Sequence, residues 1–229
     1  MTHRLAIVGM GKMGRAIAQL APERGWDVVA QLDAAECAAG IDRGALKGAE
    51  VALEFSVPSA AVANARATIE AGCPIVVGTT GWYDGLPSLA ALTVKRGGAL
   101  LTSSNFSLGV NIFERVAAEA ARHLAAVPGF DAHLIETHHA TKKDAPSGTA
   151  LALQASTAAA WGRQIPITSV RTGSIPGIHE FVFDSPFETI RLQHIARDRR
   201  AFAEGALVAA AWLIGKTGVF TMNDVLGGG

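Results

Sequence analysis

The chain has 229 residues, enough for one large domain or two modest domains with a real core. Twenty basic and twenty acidic residues cancel, which argues against nucleic acid or an anionic membrane surface as a partner. A hydrophobic fraction of 49% with only 6% aromatic residues excludes a disordered chain and suits a helix-rich α/β protein. We therefore expect small molecules or further copies of the chain as partners.

Neither the cysteines nor the N-terminus points to secretion or to a membrane. Cys37 and Cys73 lie far apart and lack CxxC spacing, so we expect two ordinary thiols rather than a disulfide framework or a zinc site. The apolar run before Gly9 is too short for a signal peptide, and no run of about 18 apolar residues follows it. We expect a soluble cytoplasmic protein without a membrane partner.

The N-terminal segment predicts a β-α-β unit. Arg4 to Val8 form a compact apolar run that ends at Gly9. The sequence from Arg15 has helical spacing up to a stop signal at Gly25. Trp26 to Leu32 form the second apolar run and the second predicted strand.

The same alternation continues to about residue 105. We predict, in order, strand Val51 to Phe55, helix 59 to 71, strand Ile75 to Val77, helix 86 to 96 and strand Ala99 to Leu101. Strands that alternate with helices are typical of a parallel sheet covered on both faces. We therefore expect an α/β fold whose first domain, residues 1–105, is a Rossmann-type doubly wound parallel sheet that binds a dinucleotide.

The pattern changes beyond Asn105, where predicted strands follow one another with Gly and Pro between them. The predicted order is helix 110 to 125, strand Ala132 to Glu136, a helix to about Trp161, and strands Ile167 to Arg171, His179 to Asp184 and Glu188 to His194. This order indicates a smaller α+β domain, residues 106–199, with a largely antiparallel or mixed sheet. An Ala-rich helix, Phe202 to Ile214, begins a C-terminal segment, residues 200–229, that returns to the first domain.

A glycine motif follows the first predicted strand. Gly9, Gly11 and Gly14 form GxGxxG between a strand and a helix. There the first glycine permits a tight turn, the second lets a pyrophosphate approach the backbone, and the third lets helix and strand pack closely. Asp33, about twenty residues further on, can accept hydrogen bonds from a ribose 2'-hydroxyl. The combination predicts dinucleotide binding, and a purely structural glycine turn is the alternative.

The residues around Asp33 favour NADH. Ala34 and Ala35 follow it, and a carboxylate without a nearby guanidinium would repel the 2'-phosphate of NADPH. Lys12 in the glycine loop complicates this preference, because its ammonium group either reaches a 2'-phosphate or is simply solvated. We expect NADH as the preferred cofactor and NADPH as the alternative.

A second loop, GTTG at Gly78 to Gly81, follows the apolar strand PIVV. It lies at the carboxyl end of a strand, where ligands of doubly wound sheets bind. Its small residues would let backbone groups approach a nicotinamide ring. Glycine and threonine are also common in turns that bind no ligand, so a nicotinamide site and a plain turn both stay open.

The stretch ETHHATKKDAPSGTA, residues 136 to 150, concentrates groups that move protons and bind anions. His138 and His139 lie near the exit of a predicted strand, where successive side chains point to opposite faces, so we expect different roles for them. Histidine exchanges protons near neutral pH, and Lys142 or Lys143 can donate a proton or pair with a carboxylate. Each of these residues is also common as a structural or solvated side chain.

The end of this stretch predicts an anion site. Pro146 and the following Ser147 to Thr149 indicate a loop that leads into a helix, whose first amides and hydroxyls would converge on one point. Together with histidine and lysine, this favours a small substrate that carries carboxylates. A metal site is disfavoured, because adjacent histidines cannot easily bind one ion and no third ligand has suitable spacing.

At these residues the chain resembles a known family, the dihydrodipicolinate reductases of the diaminopimelate route to lysine, also called 4-hydroxy-tetrahydrodipicolinate reductases. The family signature E-x-H-H-x-x-K-x-D-x-P-S-G-T-A is matched by Glu136, His138, His139, Lys142, Asp144, Pro146, Ser147, Gly148, Thr149 and Ala150. Other blocks fall in the family's order: GMGKMG, EFSVPSAA, VVGTTGW, SSNFSLGVN, RTGSIPGIHE and RRAFAEGALVAAAWL. The resemblance spans nearly the whole chain.

The resemblance implies roles for individual residues. His138 would donate or accept a proton, and Lys142 would be a second proton donor. Substrate contacts are implied for His139, Ser147, Gly148 and Thr149. Cofactor contacts are implied for Gly9, Met10, Gly11, Lys12, Met13, Gly14, Asp33, Gly78, Thr79, Thr80, Ser103, Ser104, Asn105 and Phe106, and for Arg199, which with Phe202 corresponds to residues near the family's interdomain cleft.

The resemblance also implies the reaction and the assembly. The reaction is NAD(P)H-dependent reduction of 4-hydroxy-tetrahydrodipicolinate to tetrahydrodipicolinate by hydride transfer to C4, and the smaller α+β domain binds substrate and forms a homotetramer. Domain closure about segments near Asn105 and Arg199 would exclude water from the hydride step. The chain is shorter than many members between Asp33 and Glu54 and in the loop before RTGSIPGIHE. The second shortening leaves open how the site closes and whether the tetramer forms.

Two other functions stay open at this point. One is a different two-domain dehydrogenase that acts on an amino acid or a sugar, which need not contain HHxxKxDxPSGT. The other is a nucleotide-sensing oligomer without catalysis, which would bind NADH but would not oxidise it when the substrate is supplied.

Overall fold

The computed structural model describes residues 2–227, and these divide into two compact units. The first unit comprises the residues up to Ser107 together with those from Arg199 onward. The second unit comprises Leu108–Asp198.

Strands and helices alternate through most of the described chain. The strands are β1 (His3–Val8), β2 (Trp26–Leu32), β3 (Val51–Glu54), β4 (Ile75–Val77), β5 (Ala99–Thr102), β6 (Asp131–His138), β7 (Ile167–Arg171), β8 (Gly177–Asp184), β9 (Thr189–Ala196) and β10 (Gly218–Thr221). The helices are α1 (Lys12–Leu20), α2 (Ala34–Ala39), α3 (Pro58–Glu70), α4 (Leu86–Arg96), α5 (Leu108–Leu124), α6 (Gly148–Trp161), α7 (Arg200–Leu213) and α8 (Met222–Val225). Between residues 2 and 227, every helix is too short or too polar to cross a bilayer.

The first unit is built on a parallel sheet with the strand order β10-β5-β4-β3-β1-β2. Every residue of β3, β4 and β5 is buried, as expected for central strands with helices on both faces. The strand order reverses beside β1, and ligands of such sheets bind at the carboxyl ends of the strands at that point. The predicted Rossmann-type sheet is confirmed.

Three features of the first unit differ from the expectations. The first helix begins at Lys12 because the extended Gly11 precedes it as the N-cap, and a 3-10 turn that contains Pro22 follows it up to the left-handed Gly25. The short helix α2 was not predicted and begins at Asp33 with a capping box. The C-terminal GVFT forms β10, which pairs with β5 at the edge of the sheet.

The second unit contains a mixed sheet in the order β7-β6-β8-β9, in which β6 and β7 are parallel and the other pairs antiparallel. The mixed α+β architecture is therefore confirmed. Helices α5 and α6 cover one face of this sheet, and their shared core includes Phe113, Ala117, Leu134, Leu153, Phe181 and Phe183. Strand β6 continues past its predicted end because it still pairs with β7 where His138 faces Arg171.

Candidate active site

In the turn after β1, one glycine has open space beside its backbone, and two others have neighbours too close for a side chain. Gly9 adopts a left-handed φ of 95°, and a Cβ there would lie 2.5 Å from the carbonyl oxygen of Phe55. A Cβ on Gly14 would lie 2.0 Å from the carbonyl oxygen of Gly9, so only glycine lets α1 pack this closely. At Gly11 a Cβ would meet no atom within 4 Å. The backbone at Gly11 therefore has room for a ligand to approach.

Two cavities of the first unit adjoin this turn. The first cavity, of about 450 Å³, brings together Gly9, Met10, Gly11 and Asp33. The second cavity, of about 390 Å³, brings together Gly11, Lys12, Met13, Gly78, Thr79 and Thr80. Gly11 lines both, so the loops after β1, β2 and β4 converge on the second glycine of the motif. Cavities of this size hold small ligands and parts of larger ones, and the arrangement can accommodate a dinucleotide.

The wall shared by the two cavities was missed by the sequence analysis. Phe55 and Ser56 line both cavities, and Asn64 lines the first. Phe55 and Ser56 directly follow β3, and Asn64 lies on α3. The available signal was the position of Phe55 and Ser56: they belong to the EFSVPSAA block and follow the carboxyl end of a predicted parallel strand, where ligands bind.

A buried acid supports this wall. Glu54 ends β3 and is fully buried. Its Oε1 accepts hydrogen bonds from the Ser56 amide at 3.1 Å, from the Ser56 hydroxyl and from the Asn64 amide at 3.5 Å. Burial raises the pKa of Glu54, and the groups that oppose this shift are uncharged: Ser56, Thr79 and Asn64. The first unit thus holds a carboxyl group whose acid form is favoured by its surroundings.

Asp33 has a structural task besides the one predicted for it. Its carboxylate accepts a hydrogen bond from the Ala34 amide at 2.9 Å, and the Glu36 carboxylate accepts one from the Asp33 amide at 2.9 Å. These reciprocal bonds cap the start of α2, and Asp33, Ala34 and Cys37 line the first cavity. Two carboxylates therefore stand at this helix start. Glu36 was not among the predicted residues.

Six residues predicted for the cofactor do not contribute to the lining of either cavity in the described chain: Gly14, Ser103, Ser104, Asn105, Phe106 and Arg199. The buried ring of Phe106 lies edge-on to the ring of Phe55, 5.6 Å away, and so supports the shared wall from behind. Arg199 is exposed at the N-cap position of α7. The cofactor roles of these six residues, like those of the residues that line the cavities, stay predictions.

In the second unit, strand pairing assembles a charged cluster. Glu136 and His138 share a face of β6, while β7 brings Arg171 opposite His138 and β8 brings His179 opposite Glu136. Glu136 is fully buried and His138 is 8% exposed. His138 Nδ1 lies 2.5 Å from Glu136 Oε2, and Arg171 Nη2 lies 2.6 Å from Glu136 Oε1. The carboxylate therefore stands between an imidazole and a guanidinium.

The charges of this cluster set its pKa values. Burial acts to raise the pKa of Glu136, but polar contacts with Ser169 and Arg171 and the charge of His138 outweigh it and lower the value to about 2. Burial lowers the pKa of His138, which Glu136 opposes and the positive charges of Lys142 and Arg171 reinforce. Glu136 therefore stays ionised, and a protonated His138 gives up its proton more readily than a free imidazole.

The sequence analysis missed His179. Its ring lies edge-on to that of His138, with centroids 5.3 Å apart, and its Nε2 lies 3.4 Å from Ser147 Oγ. Burial and then the charge of His138 lower the pKa of His179 to about 4, so the ring is neutral near pH 7. The alternation in GIHEFVFD places His179 on the same face as Phe181 and was the available signal. Its neighbours follow from strand pairing, which the local sequence does not reveal.

The residues that follow β6 engage polar partners in the loop. His139 is half-buried, and its Nδ1 lies 2.8 Å from Thr141 Oγ1. The Lys142 ammonium donates to both carboxylate oxygens of Asp144, at 2.8 and 2.9 Å. The two histidines differ in burial and in partners, as expected for neighbours on opposite faces of a strand.

Helix α6 begins beside this cluster. Ser147 is its N-cap: the hydroxyl accepts a hydrogen bond from the Ala150 amide at 3.1 Å, and the Ser147 amide donates to Glu136 Oε1 at 3.3 Å. Glu136 occupies the Ser147 amide, and the amides of Gly148 and Thr149 follow in the first turn of the helix. A Cβ on Gly148 would meet no atom within 4 Å, so the backbone there is open to a ligand. The positive end of the helix dipole favours an anion at this point.

The cluster also contains donors of the type that bind metals. Ligand atoms of Glu136, His138 and His179 lie within 4.8 Å of one another. Sequence spacing offered no third ligand, whereas the pairing of β6 with β8 supplies one. The guanidinium of Arg171 contacts Glu136, and this positive charge opposes a metal cation. The absence of a bound metal stays a prediction.

Comparison with known proteins decides the family. Residues 3–106 match the family "Dihydrodipicolinate reductase, N-terminus", and residues 109–226 match "Dihydrodipicolinate reductase, C-terminus". The chain belongs to the dihydrodipicolinate reductase family. The resemblance carried by the signature is confirmed, and the protein is an oxidoreductase that uses a nicotinamide cofactor.

Individual relatives agree with this assignment. The 4-hydroxy-tetrahydrodipicolinate reductase of Christiangramia forsetii is 36% identical over 236 residues, which cover 97% of this chain and 97% of that protein. The enzyme of the same name from Methanoregula boonei is 39% identical over 199 residues, or 80% and 77% of the two chains. This likeness decides against a different dehydrogenase and against a non-catalytic nucleotide sensor.

Solved structures show the same fold. The dipicolinate-bound dihydrodipicolinate reductase from Paenisporosarcina sp. TG-14 superposes with a TM-score of 0.83 at 21% identity, over 98% of this chain and 99% of that one. Aspartate semialdehyde dehydrogenase II from Vibrio cholerae reaches a TM-score of only 0.56 at 12% identity, over 93% and 98% of the two chains. The reductase structure therefore shares more of the fold with this chain than the dehydrogenase structure does.

Proposed function

We propose that the protein reduces 4-hydroxy-tetrahydrodipicolinate to tetrahydrodipicolinate with NAD(P)H in the diaminopimelate route to lysine. The relatives that share 36% and 39% of their residues with it carry this reaction in their names. The observation that carries the proposal is the buried pair of His138 and Glu136, which stands next to the start of α6 in the family's C-terminal region.

The substrate is a dicarboxylate, and the second unit has groups suited to it. The Gly148 and Thr149 amides at the start of α6 would receive one carboxylate, with His139 and a lysine nearby for charge compensation. Lys142 would exchange its present partner, Asp144, for the substrate. Binding energy from the carboxylates would then hold the reacting carbon in place.

Proton transfer is assigned to the side chains of the same cluster. Bound NAD(P)H would supply the hydride to C4 of the substrate after loss of its hydroxyl group as water. Electron density then moves toward the ring nitrogen of the substrate, and His138 or Lys142 provides the proton it takes up. The lowered pKa of His138 favours release of that proton near neutral pH.

We propose NADH as the preferred cofactor. The carboxylates of Asp33 and Glu36 stand together at the start of α2, and both would repel a 2'-phosphate. Ala34 offers no positive charge beside them. Lys12, which lines the second cavity, is the group through which NADPH would still be accepted.

We propose a homotetramer assembled through the sheet of the second unit. The face of this sheet opposite α5 and α6 carries partly exposed apolar side chains: Ile135, Ile178, Val182 and Ile195. Light scattering should give about four times the chain mass of 23.7 kDa. A mass of one chain at micromolar concentration would rule the tetramer out.

Because the reaction draws on reduced nicotinamide nucleotide and a biosynthetic intermediate, we place it in the cytoplasm.

A coupled assay tests the reaction and the proton donor together. Dihydrodipicolinate synthase generates the substrate, and NADH and NADPH consumption is followed in parallel at the nicotinamide absorbance. We expect turnover by the wild-type protein and a loss of about 100-fold or more in His138→Gln, with NADH affinity nearly unchanged. No substrate-dependent oxidation by the wild-type protein would refute the proposed reaction.

The control is a histidine on the other face of the same strand. His133 lies on β6 and contacts Thr168 at 2.8 Å, on the face opposite His138. We expect His133→Gln to keep near wild-type turnover. Wild-type turnover in His138→Gln as well would remove His138 from the proton step.

A further inference from the structure

Glu136 is a fully buried carboxylate that contacts His138, Arg171 and the residue that caps α6. One oxygen lies 2.5 Å from His138 Nδ1. The other accepts hydrogen bonds from Arg171 at 2.6 Å and from the Ser147 amide at 3.3 Å. We propose that Glu136 is a positioning residue for catalysis: it directs His138 Nε2 to the substrate, holds a proton on Nδ1 and stabilises the charged imidazolium. This inference rests on the proposed role of His138 as proton donor.

The surroundings of the His138 ring separate its two nitrogens. Nδ1 lies 2.5 Å from Glu136 Oε2, and the negative charge of that carboxylate favours a proton on this nitrogen. Nε2 lies on the side of Gly177, where a Cβ would come within 3.1 Å of it. A larger residue at position 177 would crowd this edge of the ring. Nε2 is therefore the nitrogen that can reach a substrate and release a proton to it.

The same carboxylate links the acid to the anion site. Arg171 Nη2 donates to Glu136 and to the carbonyl oxygen of Asp144, each at 2.6 Å, which ties the loop after β6 to the sheet. The Ser147 amide binds Glu136 at the first position before α6. A single side chain thus fixes the distance between the proton donor and the helix start that would bind the substrate carboxylate.

The sign of the electrostatic effect follows from the groups that face His138. Glu136, on the same strand, is the one of them that raises the pKa of His138. Lys142 in the following loop and Arg171 on β7 lower it, and burial lowers it most. His179 on β8 is neutral near pH 7 and adds no charge there. Without the charge of Glu136, only the lowering influences remain, so His138 loses its proton at a lower pH.

The variant Glu136→Gln keeps the shape of the side chain and removes its charge. Because the donor must be protonated, kcat/KM falls as pH rises through the pKa of His138. We expect this falling limb to move down by about one pH unit or more in Glu136→Gln, which lowers kcat/KM about tenfold above the limb. NADH affinity should not change. Glu136→Asp restores the charge and should return the limb toward its wild-type position even if turnover stays reduced.

Glu119→Gln is the matched control. Glu119 lies on α5 of the same unit and pairs with the exposed His123 at 2.8 Å. We expect an unchanged pH profile in this variant. A purely structural role for Glu136 would lower the amount of active protein without moving the limb, and an unmoved limb in folded Glu136→Gln overturns the inference.

A measurement on the unaltered protein decides the case if Glu136→Gln does not fold. Nitrogen-15 NMR of the imidazole rings, with His138 assigned from the signal lost in His138→Gln, reports which nitrogen carries the proton of the neutral ring. We expect the proton on Nδ1, and a proton on Nε2 overturns the inference. Wild-type turnover in His138→Gln is a different result: it refutes the proposed proton donor, while the NMR still reports on Glu136.

Discussion

Each unit buries a carboxyl group completely beside its candidate site, and the pKa values of these two groups move in opposite directions. Glu54 ends β3 in the first unit, where burial raises its pKa and only uncharged neighbours oppose the shift. Glu136 lies on β6 in the second unit, where polar contacts with Ser169 and Arg171 and the charge of His138 overcome burial and lower its pKa to about 2. Glu136 thus has cationic neighbours that stabilise its charge, whereas the groups that oppose burial at Glu54 are uncharged.

The two units therefore treat a buried carboxyl group differently: one favours its neutral form, and the other compensates its charge. The first unit surrounds its cavities with glycine backbone, hydroxyls and amides, and it keeps a buried acid in an environment that favours the neutral form. The second unit keeps an ionised carboxylate in its core and compensates it with a guanidinium and an imidazole. A cofactor site needs fixed dipoles for phosphates, whereas a proton-transfer site needs titratable groups held at chosen pKa values.

Replacing Arg171 with Met should have the largest effect on the difference between the two buried carboxyl groups. The change leaves the carboxylate of Glu136 buried without its guanidinium, and the loss of one partner from a buried pair costs about 3–5 kcal/mol. We expect the free energy of unfolding in urea to fall by about 3 kcal/mol or more. The pKa of Glu136 should rise, as the pKa of Glu54 does.

The matched control for this variant is Arg122→Met. Arg122 is 57% exposed in its side chain and pairs with Glu119 one turn away on α5. Exposed ion pairs contribute about 0–1 kcal/mol, so the loss should be small. Equal losses in the two variants would show that Glu136 does not need a buried cation.

Acid should destabilise the protein through Glu136. Its pKa is lowered from 4.5 to about 2, so its stabilising contribution is present above pH 4.5 and disappears as the pH falls toward 2. The shift corresponds to about 3 kcal/mol. His179 adds a loss at higher pH, because its pKa is lowered from 6.5 to about 4 and the unfolded chain takes up a proton in that interval. Unfolding free energies measured between about pH 7 and pH 3 should fall steadily; constant values would contradict the assigned pKa shifts.

Glu54→Gln should have a smaller effect of the opposite sign. Burial raises the pKa of Glu54, so its contribution to stability is present at low pH and is lost as the pH rises through the raised value. Glutamine is a neutral replacement of the same shape. We expect the unfolding free energy of the variant to lie within about 1 kcal/mol of wild type in mild acid and to improve relative to wild type toward pH 8. A loss comparable to that of Arg171→Met would show that Glu54 is ionised and paired.

A further effect, on cofactor choice rather than on stability, is expected at the acidic edge of the first cavity, at Asp33 and Glu36. Ala34→Arg places a guanidinium beside them, where it can pair with a 2'-phosphate. We expect the ratio of kcat/KM with NADPH to that with NADH to rise about tenfold, equivalent to about 1.4 kcal/mol. Ala34→Gln, similar in shape but uncharged, is the control. An unchanged ratio in Ala34→Arg would refute the role of Asp33 in cofactor choice.

The nucleotide side was largely predictable because its determinants are local. The spacing of Gly9, Gly11 and Gly14, the apolar run before them and the position of Asp33 all depend on neighbouring residues. The structure places Gly9, Gly11 and Asp33 around the two cavities, and Gly14 packs against the Gly9 carbonyl. The shared wall escaped prediction together with Glu54 behind it, whose burial depends on the strands on both sides of β3.

The substrate side was predictable in its loop and not in its cluster. Residues 138 to 149 follow one another in the signature, so the histidine, the lysine and the helix start were found together. Arg171 and His179 come from β7 and β8, and their approach to Glu136 is set by strand register. Register depends on the packing of whole strands, which neither residue reveals by itself.

The proposed reaction requires that a dicarboxylate binds at the start of α6, beside His138. A crystal structure of the protein with pyridine-2,6-dicarboxylate and NADH tests this requirement. We expect one carboxylate of the analogue at the Gly148 and Thr149 amides and its ring nitrogen within hydrogen-bond distance of His138 Nε2 or Lys142 Nζ. An analogue bound far from Thr149, or facing Nδ1 of His138, would contradict the account.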